Sequence, residues 1–406
     1  MAAASVTGLA RGAIQQAADL KPIPLPPPIG RSERMQRLIR ARALMQANDI
    51  GAIIVEPGAS LDYFTGVQWW RSERLTAAVI PVTGDPIIVT PFFEKPSVEE
   101  SLGIAAEVRT WNEDDEPLAL VAAFLRERGL SADRIGMEET NRFFILDRLR
   151  QQLPSLNAVS ANPVVRGCRM TKTAPEIALM QAASDITLAA FAYSWPRLKA
   201  GMSPADIDAI IGQATRALGG GYDGGLVLLG EGTAYPHGTH KPQRIERGTN
   251  VLFDCGCDVH GYKSDISRSF VWGADPTAEQ RKVWNQMRRG QDIAFAAARL
   301  GAPAGSVDDA VRAAYQSWGY GPGYKLPGLS HRTGHGIGME GHEPVNLVHG
   351  EVTPLAAGMC FSNEPGIYLP GKFGIRLEDC FHMTPAGPKW FSVPPNSLEE
   401  PIGQNA

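Results

Sequence analysis

Residues 250–270 read NVLFDCGCDVHGYKSDISRSF. An apolar run closes on Asp254, a turn containing Gly261 follows, and a second run opens just past Asp265. The pattern predicts strand, turn and strand, a hairpin that brings Asp254 and Asp265 close together. Side chains alternate faces along a strand, so each acid can enter a pocket while its neighbours pack. Asp258 lies within the turn and reads as an ordinary turn aspartate bonding local backbone. Asp254 is different. Leu252 and Phe253 precede it, and an ionised carboxylate in such surroundings is costly unless something cationic compensates it.

The same anomaly recurs downstream. His335 lies in HRTGHGIG, Glu364 in SNEPGIY and Glu378 in IRLEDCF, each in an apolar run or a Gly-rich turn. With Asp254 and Asp265 they make four carboxylates and one imidazole. Two divalent cations would bring about four positive charges, leaving a site near neutrality. The oxygen-rich set with one imidazole suits hard to borderline ions: Mn2+ first, then Co2+, Fe2+ or Zn2+. His331, His335 and His342 crowd into twelve residues beside Glu343. His335 is taken as the ligand, and His331 and His342 as proton-handling or substrate-contacting groups. Arg376, two residues before Glu378, would orient a metal-binding carboxylate from the same strand face.

All eight histidines lie at position 237 or later, so the second half supplies the imidazole chemistry. A chain of 406 residues with 44% hydrophobic and 20% charged residues has room for two cored domains. A net charge of −4 gives no basic face for nucleic acid, and no apolar run approaches the roughly 18 residues of a membrane span. The five cysteines lack CxxC spacing and read as small buried hydrophobes. That usage fits a reducing, cytoplasmic setting. Residues 1–20 lack the charged and long apolar regions of a signal peptide; a periplasmic setting follows only if they are the remnant of one.

The organisation expected is an extension (1–30), a small α/β domain (31–162) and a catalytic domain (163–406). KPIPLPPPIG (21–30) is extended, Ser32–Asn48 is an amphipathic helix, and AIIVE (52–56), AAVIP (77–81) and PIIVT (86–90) are strands. Helices follow at Pro117–Arg128 and Arg142–Gln152. Thr173-Ala-Pro-Glu176 and Ser203-Pro-Ala-Asp206 open two more, and Trp284–Leu300 and Ser306–Trp318 are the last. Residues past about 394 read as a polar tail.

FDCG, GYKSDISRSF, GHGIGMEGHE, NEPGIY and IRLED together resemble the metallopeptidase family that contains aminopeptidase P, prolidase and methionine aminopeptidase. The likeness covers roughly residues 165–395. LDYFTG (61–66) resembles the creatinase-type domain of the Xaa-Pro-cleaving branch, which methionine aminopeptidases usually lack. The resemblance implies an α+β protein, with a pita-bread catalytic domain behind a smaller creatinase-like α/β domain. It implies that Asp254 chelates one metal, that His335 and Glu364 hold the other, and that Asp265 and Glu378 bridge them. It places His237 (AYPHGTH) near the substrate and at the oxyanion, makes His342 a peptide contact that helps move protons, and makes His331 a further pocket histidine. A hydroxide shared by the metals would then attack an Xaa-Pro bond, with Glu364 passing a proton to the proline nitrogen. A homodimer is implied as well.

Two other readings stay open at this level. One is a same-fold enzyme with another reaction, creatinase-like or dimethylsulfoniopropionate-lyase-like. The first kind does not keep the full ligand set; the second shares the SR pair after the second Asp but carries an extra acid where Gly256 stands. The other is a non-catalytic peptide- or protein-binding module, which typically loses ligands. Trp69-Trp70 with Arg71 and Arg74 could meet a substrate carboxylate or simply face water.

Overall fold

The computed structural model describes residues 19–405, and within them the chain divides into two units. Residues 29–169 form one; residues 170–405 with 19–28 form the other. Residues 1–18, which carry most of the export-signal question, lie outside the described residues.

The first unit contains α1 (Arg31–Ala47), β1 (Ile50–Val55), α2 (Ala59–Thr65), β2 (Ala77–Pro81), β3 (Ile87–Pro91), α3 (Lys95–Ser101) and β4 (Glu107–Trp111). After these come α4 (Pro117–Glu127), β5 (Arg134–Met137), α5 (Phe143–Gln152), β6 (Asn157–Ser160) and α6 (Asn162–Arg169). The six strands make one mixed sheet in the order β4-β3-β2-β1-β5-β6. Strands β1, β2 and β3 are buried along their whole length, which is why they read as unbroken apolar runs. Helix α6 belongs to this unit: Arg40 donates to the Gly167 carbonyl at 2.7 Å. The unit therefore runs to Arg169, past the expected boundary at 162.

In the second unit, capping fixes where three helices start. Thr173 and Glu176 open α7 (Ala174–Ser194), and Ser203 and Asp206 open α8 (Pro204–Ala217). Thr277 and Gln280 open α9 (Ala278–Ala297), which begins well before the expected Trp284 because the cap, not the first large apolar residue, sets the start. The last helix is α10 (Gly305–Ser317). Residues 19–28 are free of helix, and Ile23 donates its N–H to Leu218 O at 2.9 Å.

Strands β7 (Leu226–Leu229) and β8 (Asn250–Cys255) are followed by the short pair β9 (Asp258–Val259) and β10 (Tyr262–Lys263), then β11 (Ile266–Val271). The order β11-β8-β7 makes a three-stranded antiparallel sheet. Next come β12 (Gly334–Gly336), β13 (Glu343–Leu347), β14 (Cys360–Asn363), β15 (Ile367–Leu369), β16 (Phe373–Ile375), β17 (Asp379–Thr384) and β18 (Gly387–Trp390). Five of these form the sheet β13-β12-β14-β17-β18, and β15 pairs with β16 around a tip at Gly371. Trp284, Met287 and Val311 from α9 and α10 pack with Phe361, Ile375, Leu377 and Phe381 in one core.

Residues past 394 are not a free tail. Leu398 is buried, β19 (Ser392–Val393) pairs with β20 (Gln404–Asn405), and the Ile402 carbonyl accepts from Arg268 Nε at 2.6 Å. The contacts are mostly backbone, so polar composition hid them. All five cysteines are free and buried.

Candidate metal centre

The hairpin read from residues 250–270 is β8 paired with β11, and its register sets Ser267 opposite Asp254. Asp265 is the residue just ahead of β11. Asp258 opens β9 and bonds locally, accepting from Gly261 N at 2.9 Å and pairing with Lys263 across to β10. Strand β12 contributes His335, the turn after β14 contributes Glu364, and the link between β16 and β17 contributes Glu378. Glu378 is held against the hairpin by a backbone bridge to Ser267.

These elements bring the five side chains together. One oxygen each from Asp254, Asp265 and Glu378 lie within 4.8 Å of one another, and so do atoms of His335, Glu364 and Glu378. Asp265, His335 and His342 form a third such group. His335 Nε2 lies 3.3 Å from Glu364 Oε1, 3.8 Å from Asp265 Oδ2 and 3.9 Å from Glu378 Oε1. The opposite nitrogen, Nδ1, is 3.0 Å from Gly336 O. A carbonyl only accepts, so Nδ1 carries the hydrogen and Nε2 presents a lone pair to three carboxylates.

That convergence is unfavourable without a cation. Burial holds Asp265 and Glu378 well above the usual carboxylate range, each raised further by its acidic neighbours. Burial, then the nearby Asp254 charge, pushes Glu364 up to about 7 against the pull of Arg376. Burial also keeps His335 well below its ordinary value, hence neutral. Glu378 Oε1 is buried and has no hydrogen-bond partner. A buried acceptor left unmatched, beside a lone pair and more carboxylates, fits divalent cations held between Asp254, Asp265, His335, Glu364 and Glu378.

Arg376 reaches a carboxylate of the cluster, that of Asp254. It does not pair directly with Glu378, because β16 ends at Ile375 and the chain leaves the strand there. Its Nη2 bonds Asp254 Oδ2, and its Nε donates to Ser267 Oγ at 3.1 Å. Ser267 Oγ then donates to Glu378 Oε2 at 2.9 Å. Arg376 therefore orients Asp254 directly and Glu378 through a serine. Its Nη1 also donates to Tyr368 OH at 3.0 Å, and Tyr368 OH is 2.7 Å from His331 Nε2. His331 Nδ1 lies 2.7 Å from Arg332 O, so Nε2 accepts from the tyrosine. Burial lowers the His331 pKa to about 3.

His342 stacks edge-on with His335, ring centroids 4.1 Å apart, and is exposed. His237 is exposed too and stands outside the clustered donors, on the wall of a cavity of about 630 Å3. A second cavity of about 580 Å3 is lined by Asp254 and Asp265, and Gly225 and Leu226 border both. Ser267 and Tyr368 escaped the sequence reading, although a serine at an inward strand position amid apolar residues is a usable signal. In the first unit, Trp69 and Trp70 stack at 5.0 Å and Arg74 pairs with Glu113 at 2.7 Å, which leaves Arg71 as the exposed cation there.

Gly256 bears on the lyase-like alternative. A β carbon at this position would sit 1.9 Å from the Ser264 carbonyl oxygen, so this backbone admits no acid there.

A neutral imidazole and four carboxylates converging in a buried cleft have the donor chemistry of a two-metal hydrolytic site. Residues 178–385 match the model for metallopeptidase family M24, and residues 37–171 match the creatinase/prolidase N-terminal domain. The chain belongs to metallopeptidase family M24, with the family's α+β pita-bread architecture behind a creatinase-type domain. It is 32% identical over 358 residues to the probable dipeptidase PepE of Mycobacterium tuberculosis, covering 87% of this chain and 92% of that one. It is 31% identical over 363 residues to a Xaa-Pro dipeptidase of Lactobacillus helveticus, covering 86% and 94%. The crystal structure of dipeptidase PepE from Mycobacterium ulcerans superposes with a TM-score of 0.82 at 31% identity, over 92% of this chain and 99% of that one.

Proposed function

We propose that this chain hydrolyses Xaa-Pro peptide bonds with a pair of divalent cations that Asp254, Asp265, His335, Glu364 and Glu378 would hold. The observation that carries this is the aim of His335 Nε2, a lone pair facing three carboxylate oxygens at 3.3–3.9 Å. Relatives named as dipeptidase and Xaa-Pro dipeptidase, each matching most of the chain, support the substrate class. Bound there, divalent cations would acidify a water and polarise the scissile carbonyl; the donor set suits Mn2+ first, then Co2+, Fe2+ or Zn2+.

The chain's own groups do the rest. Glu364, deprotonated once cations are held, can take a proton from the attacking water and pass it to the departing proline nitrogen. His342 faces solvent beside the cluster, where it can contact the peptide and move protons. The resemblance assigns His237 to the developing oxyanion. His331 is kept neutral by burial and by the nearby Arg376 charge, and serves as a pocket wall and hydrogen-bond acceptor. Proline has a fixed φ and no N–H, so a shaped pocket selects it.

The test uses chelator-stripped protein reloaded with Mn2+, Co2+ or Zn2+ and given Gly-Pro and a longer Xaa-Pro-Xaa peptide. Cleavage of the dipeptide alone assigns a dipeptidase, and cleavage of the longer peptide an aminopeptidase P. Two bound metals with no cleavage of either peptide sinks the reading. We also infer a cytoplasmic homodimer, on the five free thiols and the resemblance. Light scattering decides the dimer. No helix among the described residues is long and apolar enough to cross a membrane.

A further inference from the structure

The segment from Tyr320 to Thr333 runs between α10 and β12 with no helix or strand of its own, yet it delivers His331 into the site. Backbone groups in such a segment lack a ladder and must find partners elsewhere. Some are backbone, as where Gly328 bonds Tyr368 and Thr333 N reaches Leu347 O at 3.2 Å; two side chains of α10, one turn apart, provide others. Asp308 is fully buried. Its Oδ1 accepts from Thr333 N at 3.1 Å and Thr333 Oγ1 at 2.7 Å. Its Oδ2 accepts from His349 N at 3.0 Å and from Arg312 Nε at 2.6 Å. The four donors match the roughly four acceptor sites of a carboxylate. Arg312, fixed by that pairing, donates through Nη2 to His331 O at 2.6 Å and through Nη1 to Gly323 O at 2.8 Å.

We propose that Asp308 and Arg312 are positioning residues for the peptidase reaction, holding the backbone at 331 and 333 so that His331 and Glu364 keep their places. Neither touches a clustered donor. Their reach is through the chain: the carbonyl of Thr333 accepts from Glu364 N at 2.9 Å, and His331 is gripped at its own carbonyl. Loosening the Arg312 grip moves His331, the histidine that meets Tyr368, whereas loosening the Asp308 grip moves Thr333 and with it Glu364. The inference rests on the functional reading above for its kinetic consequence but not for its structural one.

The decisive variant is Arg312→Lys, which keeps a cation for Asp308 and loses the planar fork that spans Asp308 and His331 O. In metal-loaded full-length protein, kcat should fall about tenfold, since a displacement of around an ångström can cost up to about a hundredfold, while KM and bound-metal stoichiometry stay within about twofold. Combined with His331→Ala, the same change should add less than about twofold, because it acts through that residue. Amide exchange in the peptide spanning 329–335 should quicken in Arg312→Lys and in Asp308→Asn, with exchange in α9 unchanged. Equal losses of kcat in both backgrounds, an unchanged kcat, or unchanged exchange in 329–335 would each overturn the assignment. If Asp308→Asn does not fold, Arg312→Lys carries both arms alone. Should the unaltered protein cleave no Xaa-Pro peptide, the functional reading falls and the exchange comparison still decides the anchoring.

Discussion

Glu378 belongs to two of the three donor triplets and keeps one oxygen unmatched. Glu378→Ala should therefore lose metal and activity together, with affinity down by on the order of a hundredfold or more; unchanged stoichiometry by metal analysis would contradict a shared ligand. His342→Ala should do the opposite, keeping metal while turnover slows by about a hundredfold; steady-state kinetics at full metal loading checks it. Glu364 sets a pH dependence. Its pKa in the folded, metal-free chain is about 7, above the ordinary 4.5, so the folded state keeps a proton that the unfolded chain has already released. Metal-free stability from this group is fully present below about 4.5, falls as pH rises, and is gone above about 7. Cation binding must displace that proton, so affinity should climb with pH through about 7. Calorimetry in buffers of different ionisation enthalpy reads the proton release; a pH-independent affinity with no proton release would refute it.

Among the elements, the β8–β11 hairpin and the Gly-rich entry to β12 were the most legible, because a charge inside apolar text or between glycines has few explanations. Gly334 shows the constraint behind such text, as a β carbon there would meet Ser362 O at 2.1 Å. What stayed hidden depended on chain breaks and backbone partners. The partner of Arg376 follows from where β16 stops, and the start of α9 follows from a polar cap. A stiffer example lies behind Glu378, where Arg268 and Asp379 form an ion pair with both side chains fully buried. Arg268 Nη1 also donates to the Glu378 carbonyl at 2.9 Å. Arg268→Met would strand a buried carboxylate, and a loss of about 3–5 kcal/mol is expected in denaturant unfolding, with metal binding weakened in step. A variant of native stability would show that Asp379 finds other compensation among Gln291 and Ser392, which already bond it.

At the level of the whole molecule, bound cations act on the second unit, which alone holds the clustered donors. Saturating metal at a hundred times its Kd should stabilise that unit by about 2.7 kcal/mol per site. Chelation should accordingly lower its melting transition while leaving unfolding of residues 29–169 in place; a scan in which both shift equally would show that the two unfold as one. The division of labour was readable from the confinement of histidine to positions 237 onward, whereas the exact seam was not, since α6 is held by a bond from Arg40 that spacing does not reveal. The closing segment has a practical bearing on such experiments. Because Ile402 offers its carbonyl to Arg268, and Gln404–Asn405 lie along Ser392–Val393, a purification handle fused at the carboxyl end would load a segment wired to Glu378 through a single guanidinium. Recombinant material tagged at that end should hold added divalent metal more weakly than the same protein tagged at the other, a bias of preparation rather than of biology.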